Sequence, residues 1–383
     1  MCSSTRAGNP GGSGTEQPMV SVVIPTYRGG RELLQLVESV LRDSYPCKEV
    51  VVAIDDPLSE VLEALNKLGC KLLVSNSRRG KVHAVNEALG MASGEILVFL
   101  DDDVVVEDRD FLRKIVEAMR SYDVADVKKV IRGRSLLAKL VYIEYVAVNF
   151  ASMLMARLAG YAVAFNGAAF AIKRKALEDL GGFPATLTED FDLGLKCFLH
   201  RLKYTFIDTT YVLNYPPASW REWYRQRKRW AVGVSDWLRR NHRILLKAVV
   251  EMPHVLLPGL VLLLPSLVTF TMTLILYNLS RFKVAALLLI GLSSLMSQLL
   301  PIATLVTLNI QLVYMLTAIP LFITMLVFTA WHIAAARRLS MRSEAYLYPV
   351  YLFLYQVLWL VILLAGLMRV LVLKRTDVED WVV

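Results

Sequence analysis

Short apolar runs alternate with amphipathic segments in the first half of the chain. The runs that predict strands are Val20–Ile24, Val50–Ile54, Lys71–Val74 and Glu95–Leu100. Apolar residues between them recur at helical spacing, as in Arg31–Arg42, and predict intervening helices. This alternation indicates a Rossmann-like α/β domain with a mostly parallel, doubly wound sheet. The ligands of such a sheet bind beyond the carboxyl ends of its strands.

Long uncharged stretches dominate the second half of the chain. Residues 255–280, 284–331 and 346–368 contain no Asp, Glu, Lys or Arg. Since about 20 apolar residues are needed to cross the hydrocarbon layer, the first and last stretches each fit one helix and the middle one fits two. The pattern therefore predicts an α-helical transmembrane bundle of about four helices within residues 251–373.

Another apolar segment, residues 135–158, is interrupted by charged side chains. Lys139, Glu144 and Arg157 fall at depths that would be costly in lipid. The pattern favours a buried or interfacial helix there.

Composition agrees with a membrane portion, because 55% of the 383 residues are hydrophobic. Residues 1–19 are rich in Gly, Pro, Ser and Thr and lack the apolar core of a secretory signal, so we predict a disordered tail. The cysteines lack metal-ligand spacing and are predicted to be free thiols in a reducing compartment. They are Cys2, Cys47, Cys70 and Cys197. The domain over 20–220 is therefore expected to be cytoplasmic.

The net charge of +9 is concentrated in residues 221–250, which carry nine basic and two acidic side chains. Because this segment lies just before the first predicted span, anionic lipid headgroups explain it better than nucleic acid. The same charge predicts that the N-terminal domain and both termini, including the tail 374–383, lie on the cytoplasmic side. Four spans put Arg337, Arg338 and Arg342 on the outer side, against this tendency.

Three adjacent carboxylates, Asp101, Asp102 and Asp103, follow one predicted strand and repel one another. A divalent cation, Mg²⁺ or Mn²⁺, that bridges to a diphosphate would offset this charge with hard oxygen ligands. A solvated acidic turn before the helix at Phe111–Met119 is the alternative.

Other candidate groups stand at the ends of neighbouring elements. Asp55 and Asp56 follow an earlier strand and can accept hydrogen bonds from a base or ribose, or simply form a turn before Pro57. Lys81 begins a helix, where its charge adds to an N-terminus that already favours phosphate, although it could equally be a surface lysine.

Two further groups allow two interpretations each. Thr188 and the acids after it fit a helix N-cap, but Asp190 could also be a general base for an acceptor hydroxyl. The Gln226–Trp230 segment fits headgroup binding. Alternatively, Arg229 holds a leaving diphosphate and Trp230 forms an aromatic platform for an acceptor sugar.

Taken in order over residues 20–230, these elements resemble the membrane-bound family 2 glycosyltransferases, especially the branch of cellulose, chitin and hyaluronan synthases. The matching elements are Val22–Tyr27, Asp55-Asp56, Gly80-Lys81, the DxD-like Phe99–Asp103, Thr188-Glu189-Asp190 and the QxxRW pattern Gln226–Trp230.

The resemblance implies a GT-A fold and a metal-dependent, inverting hexosyltransferase. The implied nucleotide-sugar ligands are Pro25, Tyr27, Asp55, Asp56, Lys81, Asp101, Asp102, Gln226 and Arg229. It also implies Asp190 as the catalytic base, Asp103 with Asp101 as ligands of Mg²⁺ or Mn²⁺, and Trp230 with Gly167 on the acceptor side.

We expect transfer of a sugar to a polysaccharide or glycan acceptor at the inner face of the cell membrane. The expected donor is a nucleoside-diphosphate sugar, in particular a UDP-sugar. The QxxRW pattern favours chain elongation. The lack of spans before the catalytic domain favours the alternative, single-step transfer to a lipid such as polyprenyl phosphate, diacylglycerol or a ceramide-like acceptor. Asn166 and Ala168 also replace the Cys and Ser that are commoner in the family. A non-enzymatic transport or scaffold protein that retains the fold is a third possibility, and no nucleic-acid partner is expected.

Overall fold

The computed structural model describes residues 2–3, 17–251, 253–254, 288, 291–292, 322 and 325–377. The chain forms two compact units, one of Met1–Leu263 with Ile362–Val383 and the other of Leu264–Val361. The predicted span in 255–280 and most of 284–331 lie outside the described residues, as does most of the predicted tail 1–19.

The first unit contains an α/β domain. Its strands are β1 Cys2–Ser3, β2 Gln17–Pro18, β3 Val20–Tyr27, β4 Lys48–Asp55, β5 Lys71–Ser75, β6 Ile96–Leu100, β7 Val104–Val105, β8 Val124–Ile131, β9 Ala169–Lys173 and β10 Tyr204–Asn214. Its helices are α1 Arg31–Leu41, α2 Ser59–Leu68, α3 Lys81–Ala88, α4 Phe111–Met119, α5 Leu136–Leu154 with a π-helical turn Met155–Ala159, α6 Arg174–Asp179, α7 Glu189–Leu199 and α8 Trp220–Glu251.

The main sheet has the strand order β5-β4-β3-β6-β9-β8-β10-β7. Strands β5, β4, β3 and β6 are parallel, as the alternating pattern predicted. Strand β9 is antiparallel to both β6 and β8, and β7 is antiparallel to β10. The predicted α/β fold is therefore confirmed, but the sheet is mixed. The regular alternation of strands and helices ends at the acidic turn after β6, and the antiparallel strands follow it.

The buried strands are covered on both faces, which explains their continuous apolar runs. Along β3, Val22 and Ile24 face one core, where α1 and α4 pack, whereas Val23 faces the other, where α3 and α7 pack. All five residues of β6 are buried. This packing fixes the ends of β3, β4 and β6 at one edge of the sheet.

Helix α5 lies on the sheet, in agreement with the buried helix predicted for this segment. Asn149 accepts a hydrogen bond from the backbone N–H of Lys129 in β8 and donates one to its carbonyl, over 3.0 and 2.7 Å. Of the most apolar 18-residue window in Leu136–Ala159, 67% is buried inside the protein.

Two helical segments are described in the C-terminal part. The first, α9, covers residues 325–338. The second, α10, is Ala345–Leu371 and contains the short segments Ala345–Leu347, Tyr348–Val350 and Tyr351–Tyr355 before the α-helix Gln356–Leu371. With a mean hydropathy of 2.3, α10 is long and apolar enough to cross a membrane, and it matches the last predicted span.

The expectation of four free thiols was wrong for Cys47, which is disulfide-bonded. Cys70 and Cys197 are free. Spacing along the sequence does not report which thiols the fold brings together, so this bond was not predicted.

Candidate active site

A lysine joins the ends of three elements at the carboxyl edge of the sheet. Lys81, the first residue of α3, places Nζ 2.7 Å from Asp101 Oδ1 and 3.1 Å from Glu189 Oε1. Withdrawal from water lowers the pKa of Lys81, but the negative charges of Asp101 and Glu189 outweigh this and raise it above the usual value. Lys81 therefore stays charged and links the acidic turn after β6 to the start of α7.

The loop that precedes Lys81 is held by the side chain of Asp55. Its buried Oδ2 accepts hydrogen bonds from the backbone N–H of Arg79 and Gly80, over 2.7 and 3.0 Å. Gly80 has a φ of 98°, which favours glycine at this turn into α3. Asp55 is only 3% exposed, so it organises the loop, whereas the neighbouring Asp56 carries the accessible carboxylate.

The acidic turn carries negative charge that nearby cations only partly offset. The hydroxyl of Thr26 donates to Asp102 Oδ2, which fixes that side chain. The pKa of Asp103 is raised to about 7, because the protein atoms around its carboxyl partly withdraw it from water and because Asp101 and Asp102 repel its ionised form. A cation near Asp103 would relieve this repulsion.

The donor atoms in this turn fit a cation shared with a substrate. The described residues contain no group of three or more His, Cys, Asp or Glu that could hold a metal by themselves. Mg²⁺ at nucleotide sites is commonly held by one or two carboxylates, with phosphate and water oxygens completing the ligands. Asp101 and Asp103 match that arrangement.

Asp190 lies in the first turn of α7 and is held by two backbone donors. The N–H of Phe191 donates to Oδ1 over 2.9 Å, and the N–H of Gly167 donates to Oδ2 over 3.0 Å. Burial raises the pKa of Asp190 to about 7, with a further contribution from Glu189 and an opposing one from Lys81. A carboxyl group with this pKa can take up or release a proton near neutral pH.

The capping interpretation of this segment lacks its main contact. Thr188 stands at the N-cap position of α7, but its side chain makes no capping hydrogen bond. The residue types are therefore not explained by a helix cap alone.

Gly167 allows the close approach to Asp190. A Cβ at this position would lie 3.0 Å from Asp190 Oδ2 and 3.1 Å from its Cβ. The structure thus places Gly167 against the candidate base. Its predicted contact with the acceptor stays a prediction.

Tyr27, the last residue of β3, has its ring at the surface of this edge, 41% exposed. The guanidinium carbon of Arg78 lies 4.6 Å from the ring centroid, and that of Arg28 lies 5.2 Å away. Arg28 Nε also contacts Asp56 Oδ2 at 3.1 Å. The ring of Tyr27 and the carboxylate of Asp56 together offer stacking and hydrogen bonding to the base of a nucleotide.

A cavity lies between β3 and the acidic turn on one side and α7 on the other. Its lining includes Pro25, Lys81, Asp101, Gly167, Glu189 and Asp190. Three elements that are distant in sequence, the end of β3, the start of α3 and the start of α7, meet there.

Helix α8 adds a cation to this group. Burial lowers the pKa of Arg229, while the negative charges of Glu189, Asp101, Asp190 and Asp103 act in the opposite direction. Arg229 therefore lies within electrostatic reach of the whole acidic cluster. Gln226 and Trp230 are half-buried on the same helix.

Sequence analysis did not select Glu189, Glu144 or Arg227. Glu189 is adjacent to Asp190 and could have been found from its place in the helix start. The buried pair of Arg227 with Glu144 joins residues 83 positions apart, and no local pattern signals it.

Comparison with known proteins identifies the family of this domain. The family model described as Glycosyltransferase like family 2 matches residues 18–233. The poly-beta-1,6-N-acetyl-D-glucosamine synthase of Staphylococcus epidermidis is 26% identical over 230 residues, which cover 58% of this chain and 56% of that protein. The probable glycosyltransferase YdaM of Bacillus subtilis is 24% identical over 234 residues, 57% of this chain and 56% of that protein. The chain spans a little over half the length of these relatives.

Solved structures give more distant likenesses. The mannosyltransferase PcManGT from Pyrobaculum calidifontis, solved with GDP-Man and Mn²⁺, has a TM-score of 0.49 and 20% identity, covering 80% of this chain and 87% of that one. Residues 1–349 of S. aureus TarS with UDP-GlcNAc have a TM-score of 0.40 and 20% identity, covering 52% and 59%.

The family model covers more than half of the chain and includes every motif on which the resemblance was based. The resemblance is therefore confirmed, and the chain belongs to the glycosyltransferase family 2.

Proposed function

We propose that the protein transfers a sugar from a UDP-sugar to a polysaccharide or glycan acceptor at the inner membrane face, with inversion at the anomeric carbon. The observation that carries this proposal is the placement of Asp190. Its carboxylate is oriented by Gly167 and Phe191, next to the cationic group of Lys81. A base and a diphosphate site thus face one cavity.

In this mechanism Asp190 accepts the proton of the acceptor hydroxyl as its oxygen forms a bond to the anomeric carbon. The bond between that carbon and the diphosphate breaks at the same time, and the electron pair leaves with the diphosphate. Attack from the side opposite the leaving group inverts the configuration. The two backbone N–H groups on Asp190 keep its carboxylate aimed at one position, which saves orientational entropy.

The departing diphosphate gains negative charge, and cations must lie beside it. Lys81 and Arg229 are cations near the acidic turn. A divalent cation held by Asp101 and Asp103 would supply further charge stabilisation when bound. Lys81 also keeps Asp101 in place while the substrate enters.

The nucleotide end of the donor is assigned to Tyr27 and Asp56. Tyr27 offers an exposed aromatic face at the end of β3, and Asp56 offers a carboxylate at the end of β4. Residues Tyr27 and Asp55 are paired in register across these strands, so Asp56 lies close to the ring. Tyr27 Oη is 3.5 Å from Asp56 Oδ2.

The acceptor assignment rests on the relatives and on the helices. A poly-beta-1,6-N-acetyl-D-glucosamine synthase is among the similar proteins, which supports a growing amino-sugar polymer. The apolar α10 and the basic α8 support work at a membrane. We place the catalytic domain and both termini in the cytoplasm, with about four spans in residues 251–373.

The test is to incubate the detergent-purified chain with labelled UDP-N-acetylglucosamine, with Mn²⁺ or Mg²⁺, and to size the product. A polymer with the anomeric configuration opposite to that of the donor is expected. A single sugar on a lipid would replace the polymer assignment by the lipid acceptor. Absence of both transfer and hydrolysis with every UDP-sugar tried would refute the proposal.

A further inference from the structure

A buried ion pair joins α8 to α5 within the first unit. Arg227 donates from Nη2 to Glu144 Oε2, and the two side chains are only 1% and 6% exposed. Arg227 occupies the second position of the QxxRW pattern, between Gln226 and Arg229.

Stability alone does not explain a pair at this place. Taking two charges out of water costs several kcal/mol per ion, and apolar replacements of similar volume are often equally or more stable. Such pairs are best understood where a fixed geometry is needed. The surroundings of Arg227 should therefore show which geometry it fixes.

The guanidinium group of Arg227 lies against two indole rings. Its central carbon is 4.3 Å from the centroid of Trp230 and 5.7 Å from that of Trp223. A guanidinium over an aromatic face is an attractive contact that depends on orientation. Because Glu144 holds the guanidinium, the plane of the Trp230 ring is fixed with respect to α5.

The other end of the pair connects to the turn beside the candidate base. Tyr145, which follows Glu144, is buried and shares a hydrogen bond with the side chain of Asn166. Asn166 Oδ1 in turn accepts from the N–H of Ala168 over 3.0 Å, which shapes the turn that contains Gly167. The N–H of Gly167 orients Asp190.

We propose that Arg227 and Glu144 are positioning residues for the acceptor side of the site. The pair holds α5 and α8 so that the Trp230 ring and the Asn166-Gly167 turn keep a fixed separation. Neither residue contacts the substrate. This inference rests on the proposed function, because it takes Trp230 as the platform of the acceptor sugar and Asp190 as the base.

Most of the donor side lies on other elements than α5 and α8. Tyr27 and Lys81 lie on β3 and α3, and Asp56 directly follows β4, whereas Arg229 shares α8 with Arg227. Loss of the pair should therefore disturb transfer to a sugar acceptor more than donor binding or transfer to water. A purely structural role would reduce all three together.

The experiment compares two matched double variants of the full chain. R227M/E144Q removes this ion pair. K129M/D126N makes corresponding exchanges, of the cation to Met and of the acid to its amide, in another buried pair, Lys129 with Asp126, whose side chains are 1% and 2% exposed. Both variants avoid leaving a single buried charge. Each is assayed with UDP-N-acetylglucosamine for polymer formation on an N-acetylglucosamine oligosaccharide, for donor hydrolysis, and for the thermal shift with UDP.

We expect R227M/E144Q to lose about 10- to 100-fold in transfer relative to hydrolysis, since small displacements of reacting groups have effects of this size. Its UDP shift should match that of the wild type, and K129M/D126N should keep the wild-type ratio of transfer to hydrolysis. If R227M/E144Q does not fold, R227K, which keeps the charge on Glu144 paired but loses the planar stack, is expected to show the same loss.

An unchanged ratio of transfer to hydrolysis in R227M/E144Q, or in R227K, would overturn the inference. An equal loss in the K129M/D126N control would do so as well. Failure of the proposed function looks different, because the wild type itself would then neither hydrolyse nor transfer the sugar.

Discussion

The backbone N–H of Gly167 donates to Asp190 Oδ2 over 3.0 Å, and the missing side chain of Gly167 leaves room for that carboxylate. The glycine thus supplies both a donor and an open space. These two contributions can be separated by substitution, because alanine keeps the N–H and removes only the space.

We predict that G167A lowers kcat for transfer by about 10- to 100-fold, because a Cβ so close to Asp190 must push the base away. Binding of UDP should not change. The matched control is G90A, where a new Cβ would lie 3.3 Å from the carbonyl of Glu87. Equal kcat values for G167A and the wild type would contradict a positioning contact at Gly167.

The rate should depend on pH through the ionisation of Asp190. Its pKa of about 7 is set by burial and by the charge of Glu189. Only the carboxylate can accept a proton, so kcat/KM for the acceptor should rise with pH below about 7 and level off above it. In E189Q the rise should move to lower pH, since one repulsive charge is gone.

The same pKa predicts an effect on stability with a definite sign. An ordinary aspartate has a pKa near 3.9, so the folded state binds this proton more tightly than the unfolded state, and the carboxyl costs stability as pH rises from about 4 to 7. D190N removes that cost. Its melting temperature relative to the wild type should therefore be higher at pH 8 than at pH 4, together with loss of transfer at both. A shift in the opposite direction would show that Asp190 is ionised at low pH in the folded protein.

Lys81 should matter for the diphosphate in particular. We predict that K81M weakens binding of UDP by about 10-fold or more but weakens UMP less, because a charge-assisted contact to the second phosphate is lost. Titration calorimetry with both nucleotides measures the difference. K71M is the control. Lys71 Nζ lies 2.7 Å from Glu49 Oε2, and neither residue lines the cavity. If K81M weakened both nucleotides equally, Lys81 would act on the shape of the loop alone.

The proposed binding site of the nucleotide's base can be tested at Tyr27. Loss of one aromatic stacking partner typically costs about 1–3 kcal/mol, so Y27A should weaken UDP binding by about 5- to 150-fold. Y27F should bind nearly as well as the wild type, since it keeps the ring. Y122A removes another partly exposed tyrosine and should have no effect. Normal UDP binding by Y27A would show that the uracil base binds elsewhere than at Tyr27.

Sequence placed the acidic groups at strand ends, because parallel strands bring their carboxyl ends together whatever the details of packing. Asp56 and Asp101 were selected in this way, whereas Tyr27 was selected from the family resemblance, and the roles of all three stay predictions. Sequence could not decide between Asp55 and Asp56, since adjacent side chains point in opposite directions and only the fold shows which one is buried.

Contacts between distant segments were the main omission. Arg227 and Glu144 look like an unused motif position and a charge in an apolar helix until α5 and α8 are packed together. The antiparallel strand β9 was also not predicted, because it follows a long helix and has no neighbouring strand in the alternating pattern. Thr188 looked like a cap from its residue type, yet its side chain makes no such bond.

The antiparallel pairing of β9 with β6 has a consequence for how this enzyme can change. Leu100 and Ala169 are partners in the ladder, and Asp101 N–H donates to the carbonyl of Ala168 over 3.0 Å. The acidic turn after β6 and the turn whose Gly167 donates to Asp190 are therefore two ends of one hydrogen-bonded seam. Under the proposed function, an insertion in either turn would shift the contacts of both donor and acceptor at once, so a new acceptor would be easier to accommodate by exchanging side chains there than by altering loop length.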